Sequence, residues 1–426
     1  MMTKPPSILP IEVRLPLNRA TLGEIAGHLR LQGQEVLRRK TRAHIIQTLA
    51  GIAKCWCLET YSLRKLALER VPANTGFSRE MIARGIDLTF SKITKEVLTD
   101  YSNHELDTFF KPSAGVIGHV APGNLFAPVV QSVFHGLLVQ SPNFVRSSEN
   151  DLHFPALLAQ SLIDADQELA DALAVAHWSS ANVGLNRAFA KETDTLIVYG
   201  SDETISGWRS LQPEGRRFIG FGNRLSVGFI SQTGLERLSE AATAAALDVA
   251  LYDQRGCLSP HCFYLEKPTL RQWTAFGTRL AESLSRLDTE LPVGNLSRDQ
   301  ELIIGNLRQN QMFAASQHPE HARVWCSKDS SWTVLFEDRP LFTPSCLDRT
   351  IWLRPVSSFD QLGEALASWR GKLQCLGTDL HNDELHGHVP LLRDLGFTRL
   401  CALGSMQAPP ITWPNGGTSL LKQLAS

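Results

Sequence analysis

Val116-Ile117-Gly118-His119-Val120 is a short apolar run that closes on Ala121-Pro122-Gly123-Asn124 and gives way to a helical pattern over 126–138. The unit reads as strand, turn and helix, and its kind recurs downstream. Asn143-Phe144-Val145-Arg146, Thr195-Leu196-Ile197-Val198-Tyr199 and Arg217-Phe218-Ile219-Gly220-Phe221-Gly222 read as further strands, and 152–173 has helical spacing. Strands alternating with helices of this length build βαβ units around a parallel sheet, so the expected fold class is α/β. Such sheets bind ligands beyond the carboxyl ends of their strands, where Gly123 and Gly200 fall.

Outward from this core, residues 1–110 read mostly as helices, over 24–42, 62–69 and 79–98. Asn74-Thr75-Gly76 interrupts them, and Ser78 offers an N-cap to the next helix. Trp56 and Trp208 are read as packing residues. Further along, an alanine-rich helical run, 241–249, leads into Asp253-Gln254-Arg255-Gly256-Cys257-Leu258-Ser259-Pro260, and the strand His261-Cys262-Phe263-Tyr264-Leu265 leaves it. A helix is expected over 269–287, a charged segment around Ser297-Arg298-Asp299-Gln300-Glu301, strands over 332–336 and 350–354, and a helix over 361–373. The Pro/Gly-rich stretch 407–417 is not expected to form a regular element.

Composition narrows the function. A chain of 426 residues suggests two or three domains, and 43% hydrophobic with 20% charged residues is an ordinary globular balance. Net charge is −1 without a basic block, which argues against a nucleic-acid partner. Met1-Met2-Thr3-Lys4-Pro5-Pro6 lacks a signal-type apolar segment behind its lysine, and no apolar run is long enough to span a bilayer. Eight scattered cysteines do not suggest a disulfide framework, and Cys55-x-Cys57 is not a zinc-finger spacing. The expected location is the reducing cytoplasm.

Several residues have the chemistry of a site, each beside a plainer reading. Cys257 stands at a Gly-Cys joint, where the backbone can approach a ligand; with a lowered pKa its thiol is a nucleophile, otherwise it is a structural thiol. Asn124 can donate an amide N–H to an oxyanion, or cap the helix that follows it. Arg146 and Ser148, in Arg146-Ser147-Ser148-Glu149, can hold a ribose or its phosphate, or form a solvated loop. Gly220-Phe221-Gly222 is half of a dinucleotide fingerprint and equally an ordinary turn. His381, His386 and His388 match no zinc spacing, and no metal is expected; no G-x-S-x-G elbow occurs.

Taken together, Gly118-His119-Val120-Ala121-Pro122-Gly123-Asn124, Val145-Arg146-Ser147-Ser148, Val198-Tyr199-Gly200-Ser201-Asp202-Glu203-Thr204, the 253–260 segment, and Gly404-Ser405-Met406-Gln407 with Pro409-Pro410 resemble one family. It is the acyl-CoA reductase family of bacterial bioluminescence, the LuxC family, within the aldehyde dehydrogenase superfamily. The resemblance implies an aldehyde dehydrogenase-like fold: a Rossmann-like cofactor domain, an α/β catalytic domain and a small oligomerisation element. The expected boundaries are 1–110 for a mainly helical part of the cofactor domain, 111–245 for the nucleotide-binding core, 246–400 for the catalytic domain, and 401–426 for the tail and oligomerisation element.

By the same resemblance, Cys257 is the nucleophile and Asn124 the oxyanion donor. Arg146, in place of the usual lysine, lies near the adenosine ribose with Ser148, and Gly200-Ser201 meets the pyrophosphate. The stretch 220–224, with Gly222, stands where hydrolytic aldehyde dehydrogenases carry a water-activating glutamate, and it has no carboxylate. The implied activity is reduction of an acyl-CoA or acyl-protein thioester to an aldehyde through a Cys257 acyl-enzyme. NADPH is the first choice of cofactor, with NADH the alternative. An acyl-protein synthetase partner and a homo-oligomer are also implied. The competing readings are a cysteine-dependent acyltransferase or thioesterase without redox chemistry, and a non-catalytic subunit of a reductase complex.

Overall fold

The structure, a computed structural model, describes residues 17–106 and 115–425. Residues 1–6 and the expected 110/111 boundary lie outside them. The chain divides into two compact units. The first takes the chain up to Thr75, Ile82–Gly222 and the tail from Pro410; the second takes Gly76–Met81 and Asn223–Pro409.

The first unit is built on five parallel strands: β1 (Ile117–Val120), β2 (Asn143–Ser147), β3 (Leu173–His177), β4 (Thr195–Tyr199) and β5 (Arg217–Phe221), in the order β3-β2-β1-β4-β5. Chain order reverses between β1 and β4, the switch point at which open α/β sheets hold ligands. Val120, Phe144, Leu196 and Val198 pack with Leu22, Leu29, Leu185 and Phe189 from the helices. Trp56 is wholly buried and stacks on Phe90, 5.4 Å between ring centres, and Trp208 packs edge-on to Phe189. The helix Ser62–Thr75 stops where Gly76 turns to a φ of +75°, and Ser78 Oγ accepts the Met81 N–H at 3.2 Å.

The segment 152–173 differs from its helical expectation. It is the helix Phe154–Ala165, a 3-10 turn over Leu169–Ala172, and the start of β3. Asp166 ends the helix in extended backbone: its carboxylate accepts from Leu169 N at 3.1 Å, which starts the next turn, and from Lys40 Nζ at 2.9 Å. The tail folds onto this unit. His135 Nε2 meets Ile411 O at 3.1 Å, Arg217 donates to Gln423 O at 2.6 Å, and the helix Leu420–Ala425 follows a single 3-10 turn at Asn415–Gly417.

The second unit holds seven strands: β6 (Leu225–Ile230), β7 (Pro260–Glu266), β8 (Ala322–Cys326), β9 (Thr333–Glu337), β10 (Thr350–Val356), β11 (Leu373–Thr378) and β12 (Arg399–Ala402). Their order is β12-β11-β6-β7-β10-β9-β8, and the β8–β9 pair alone is antiparallel. Helices Leu238–Ala250 and Leu270–Glu290 cover one face. Ala241, Ala242, Ala245 and Ala246 leave room for Trp273, Phe276 and Leu280 to close in against them. The other face is sealed by Leu362, Leu366, Leu392 and Leu395 over Phe229, Tyr264 and Trp352. The charged segment at Ser297 opens a 20-residue helix, Arg298–Gln317, through a capping box between Ser297 and Gln300. Among the described residues, no helix is long and apolar enough to cross a membrane.

Candidate active site

In the second unit, the helix Leu238–Ala250 delivers the chain to β7 through an unusual turn. Tyr252, Asp253 and Gln254 have φ of 54°, 49° and 61°, a run of three left-handed residues with no glycine. A second run, Leu347, Asp348 and Arg349, has φ of 68°, 51° and 55°. Each such residue costs about 1–2 kcal/mol, so the two turns need outside support, and they give it to each other. Arg349 Nε donates to Asp253 Oδ1 at 2.9 Å, and Arg255 Nε to Asp348 Oδ1 at 2.7 Å. The Gln254 amide accepts from Thr350 N at 2.8 Å and donates to Pro260 O at 2.7 Å.

This frame presents Cys257. Ser259 N donates to Gly256 O at 3.0 Å and Gly256 N to Ser259 Oγ at 3.2 Å, which closes a tight turn with Cys257 near its tip. Ser226 Oγ, on β6, donates to Cys257 O at 2.8 Å, and the Gln407 amide donates to Ser259 Oγ. Cys257 is exposed, yet the surrounding protein is dense enough to desolvate a thiolate, and burial pushes its thiol up to about 11. The Nδ1 of His261 is engaged elsewhere. His261 Nδ1 accepts from Ser345 N at 3.2 Å, and burial pushes the ring down to about 4, so it is neutral at physiological pH.

In the first unit, Asn124, Arg146, Ser148, Gly200, Ser201 and Gly222 all lie at or just beyond the carboxyl ends of β1, β2, β4 and β5, one edge of one sheet. Asn124 is exposed; the capping position of the helix Ala127–Leu138 belongs to Phe126, which makes no side-chain bond. Arg146 is buried rather than solvated. It donates to Trp178 O at 3.0 Å with its guanidinium 5.9 Å from the Trp178 ring, and its Nε has no partner. Gly123 brings two loops together, since a Cβ there would lie 2.8 Å from Ser148 Oγ. Ser201 caps the helix Asp202–Leu211 by accepting from Thr204 N at 3.2 Å. A Cβ on Gly222 would lie 2.6 Å from Asp202 Oδ1, so β5 leaves the sheet hard against that helix start.

Asp151, which the sequence did not single out, sits beside this edge. One carboxylate oxygen accepts from Phe154 N at 3.2 Å, the other has no partner, and burial pushes the group up to about 7. A carboxyl raised in the folded state contributes stability in full below about pH 4, and loses it as pH rises through about 7. The wild-type protein should therefore lose up to about 4 kcal/mol relative to Asp151→Asn over that interval. Denaturant unfolding of both proteins between pH 4 and 8 checks this; a difference that does not change with pH would refute it.

The comparisons with known proteins bear on this pair of sheets. Residues 38–426 match the family described as Acyl-CoA reductase (LuxC). The chain belongs to the LuxC family. One relative, the long-chain acyl-protein thioester reductase 2 of Photobacterium leiognathi, is 21% identical over 350 residues, 78% of this chain and 71% of that protein. The long-chain acyl-protein thioester reductase of Vibrio harveyi is 22% identical over 337 residues, 75% and 68% of the two chains. Among solved structures, the salicylaldehyde dehydrogenase of Pseudomonas putida G7 superposes with a TM-score of 0.69 at 14% identity, covering 91% of this chain and 83% of that one. The NAD-dependent benzaldehyde dehydrogenase of Corynebacterium glutamicum gives 0.68 at 13% identity, covering 92% and 88%. This LuxC-family chain thus has the aldehyde dehydrogenase-like α/β fold expected of it.

Proposed function

We propose that the chain reduces an acyl thioester to an aldehyde, with Cys257 as the nucleophile. The observation that carries this is the Cys257 thiol, exposed near the tip of a turn held from two sides, in a chain of the LuxC family. The sulfur attacks the thioester carbonyl carbon, and the carrier thiol leaves with the proton, so that an acyl-enzyme remains. Asn124 donates its amide N–H to the oxyanion. A carboxylate is absent from 220–224, which keeps water from being activated there and leaves the acyl group for reduction.

The first unit suits a dinucleotide. Gly200 and Gly222 pack their backbone against Thr204 and Asp202 at the start of the helix Asp202–Leu211, and Arg146 holds an unpartnered buried N–H. Gly200, Ser201 and Gly222 would hold the phosphates, Arg146 and Ser148 the adenosine side. When bound, the reduced nicotinamide supplies the hydride. NADPH is proposed over NADH on the cationic character of Arg146. Self-association and a synthetase partner that charges the acyl carrier belong to the same proposal.

The test is nucleotide oxidation together with aldehyde release, using NADPH and NADH in turn against medium- and long-chain acyl-CoAs, benzoyl- and anthraniloyl-CoA, and an acylated protein. Aldehyde formed with one of these donors supports the reading. Carrier thiol released without nucleotide oxidation would point to a thioesterase or transferase. Asn124→Ala should lower turnover about 100- to 1000-fold while nucleotide affinity is retained; an unchanged rate would remove Asn124 from the site.

A further inference from the structure

We propose that Cys375 and Cys401 form an oxidation site at which a hydroperoxide makes a disulfide that disarms Cys257. The two residues lie on β11 and the edge strand β12, in a diagonal relation: Cys375 faces Arg399 and Gly377 faces Cys401. Their sulfurs are in contact at 3.6 Å. Cys375 is buried and Cys401 partly exposed, so one thiol is open to a small oxidant and its partner waits beneath it.

The pair is joined to the Cys257 turn by two arms. On one, Cys375 N donates to Ser226 Oγ at 3.2 Å, and the same hydroxyl donates to Cys257 O. On the other, β12 runs into a turn whose Gly404 and Met406 N–H groups donate to Asp248 at 2.6 and 2.9 Å, and Gln407 beyond it holds Ser259. A disulfide needs the sulfurs at about 2.05 Å. β12 is four residues long and bonded on one side only, so it is the strand that gives when the sulfurs close. Movement of β12 draws on Gln407, and movement of β11 draws on Ser226.

The chemistry is selective because peroxides attack thiolates. The hydrogen bond from Cys375, assisted by the Arg399 guanidinium, holds the Cys401 thiol down, whereas burial pushes Cys257 up. The Cys401 thiolate attacks one peroxide oxygen, the O–O bond breaks, and hydroxide leaves, giving a sulfenic acid. The Cys375 sulfur then attacks the sulfenyl sulfur; the S–O bond breaks and water departs with the thiol proton. Two thiols are oxidised to one disulfide, and one peroxide is reduced to two waters.

The experiment treats the full chain with hydrogen peroxide, caps free thiols with N-ethylmaleimide, and maps the tryptic peptides by mass. The peptides 373–393 and 400–422 carry one cysteine each, and the expected product is their cross-link, lighter by two hydrogens. The rate of Cys257 labelling by iodoacetamide should fall on oxidation and recover with dithiothreitol. Cys401→Ser should form no link and keep its Cys257 labelling after peroxide. Cys375→Ala should do the same, and if that buried variant does not fold, the Cys401→Ser arm decides. Both thiols left free or Cys401 driven to a sulfinic acid without a link would overturn the proposal, as would a link that leaves Cys257 labelling unchanged. None of these readouts requires reductase turnover, so failure here is distinct from failure of the proposed activity.

Discussion

Replacing Cys257 by alanine is expected to lower reductase turnover by about a thousandfold or more and to abolish acyl-enzyme formation, with nucleotide binding retained. The expectation has a structural reason beyond the residue type. The Nδ1 lone pair of His261, the nearest histidine in sequence, is already taken by the Ser345 N–H. Burial pushes the Cys257 thiol up to about 11, which keeps the thiolate scarce at pH 7. Iodoacetamide should therefore label Cys257 slowly at pH 7, about tenfold faster for each pH unit up to about pH 10. Nucleotide or acyl donor should raise the rate at pH 7 if binding supplies the missing stabilisation of the thiolate. A Cys257→Ala protein that still accumulates labelled acyl-enzyme would remove Cys257 from the chemistry. Fast labelling at pH 7 in the free protein would instead show that the thiolate is stabilised before any ligand binds.

What the sequence disclosed and what it withheld follow a physical division. Strands β1, β2, β4 and β5 were legible because each is an apolar run closed by a local turn. β6 was missed: Leu225-Ser226-Val227-Gly228-Phe229-Ile230 follows Gly222 after only two residues and has no break of its own to announce it. β11 contains Gly377, which reads as a break, although its missing side chain makes room for Met406. The helix Arg298–Gln317 carried its capping box in plain view and was read only as charge. At the site, Gly-Cys-x-Ser marked the turn, but nothing local marked its support. Left-handed backbone is usually announced by glycine; each triplet has instead a single aspartate, Asp253 or Asp348, a weaker signal. Their partners lie 96 residues apart, a spacing that single-sequence reading does not connect.

That support makes the largest stability prediction. Arg349 and Asp253 are wholly buried, and Arg349 reaches three acceptors: Asp253 Oδ1 at 2.9 Å, Asp288 Oδ1 at 3.0 Å and Leu291 O at 2.7 Å. Arg349→Met keeps the apolar stem but leaves the Asp253 carboxylate with the Gly294 N–H at 3.1 Å as its remaining hydrogen-bond donor. Breaking a buried pair from one side costs about 3–5 kcal/mol, because the surviving charge stays desolvated. Arg349→Lys should recover little, since one ammonium cannot serve three acceptors spread around a planar fork. Asp253→Leu combined with Arg349→Met removes both charges and should regain part of the loss. The double variant still lacks the bonds that hold two left-handed turns together, so Cys257 labelling should remain altered after stability has partly returned. Urea unfolding of the three variants checks the order, and a loss of less than about 1 kcal/mol in Arg349→Met would mean that the turns stand without the ion pair.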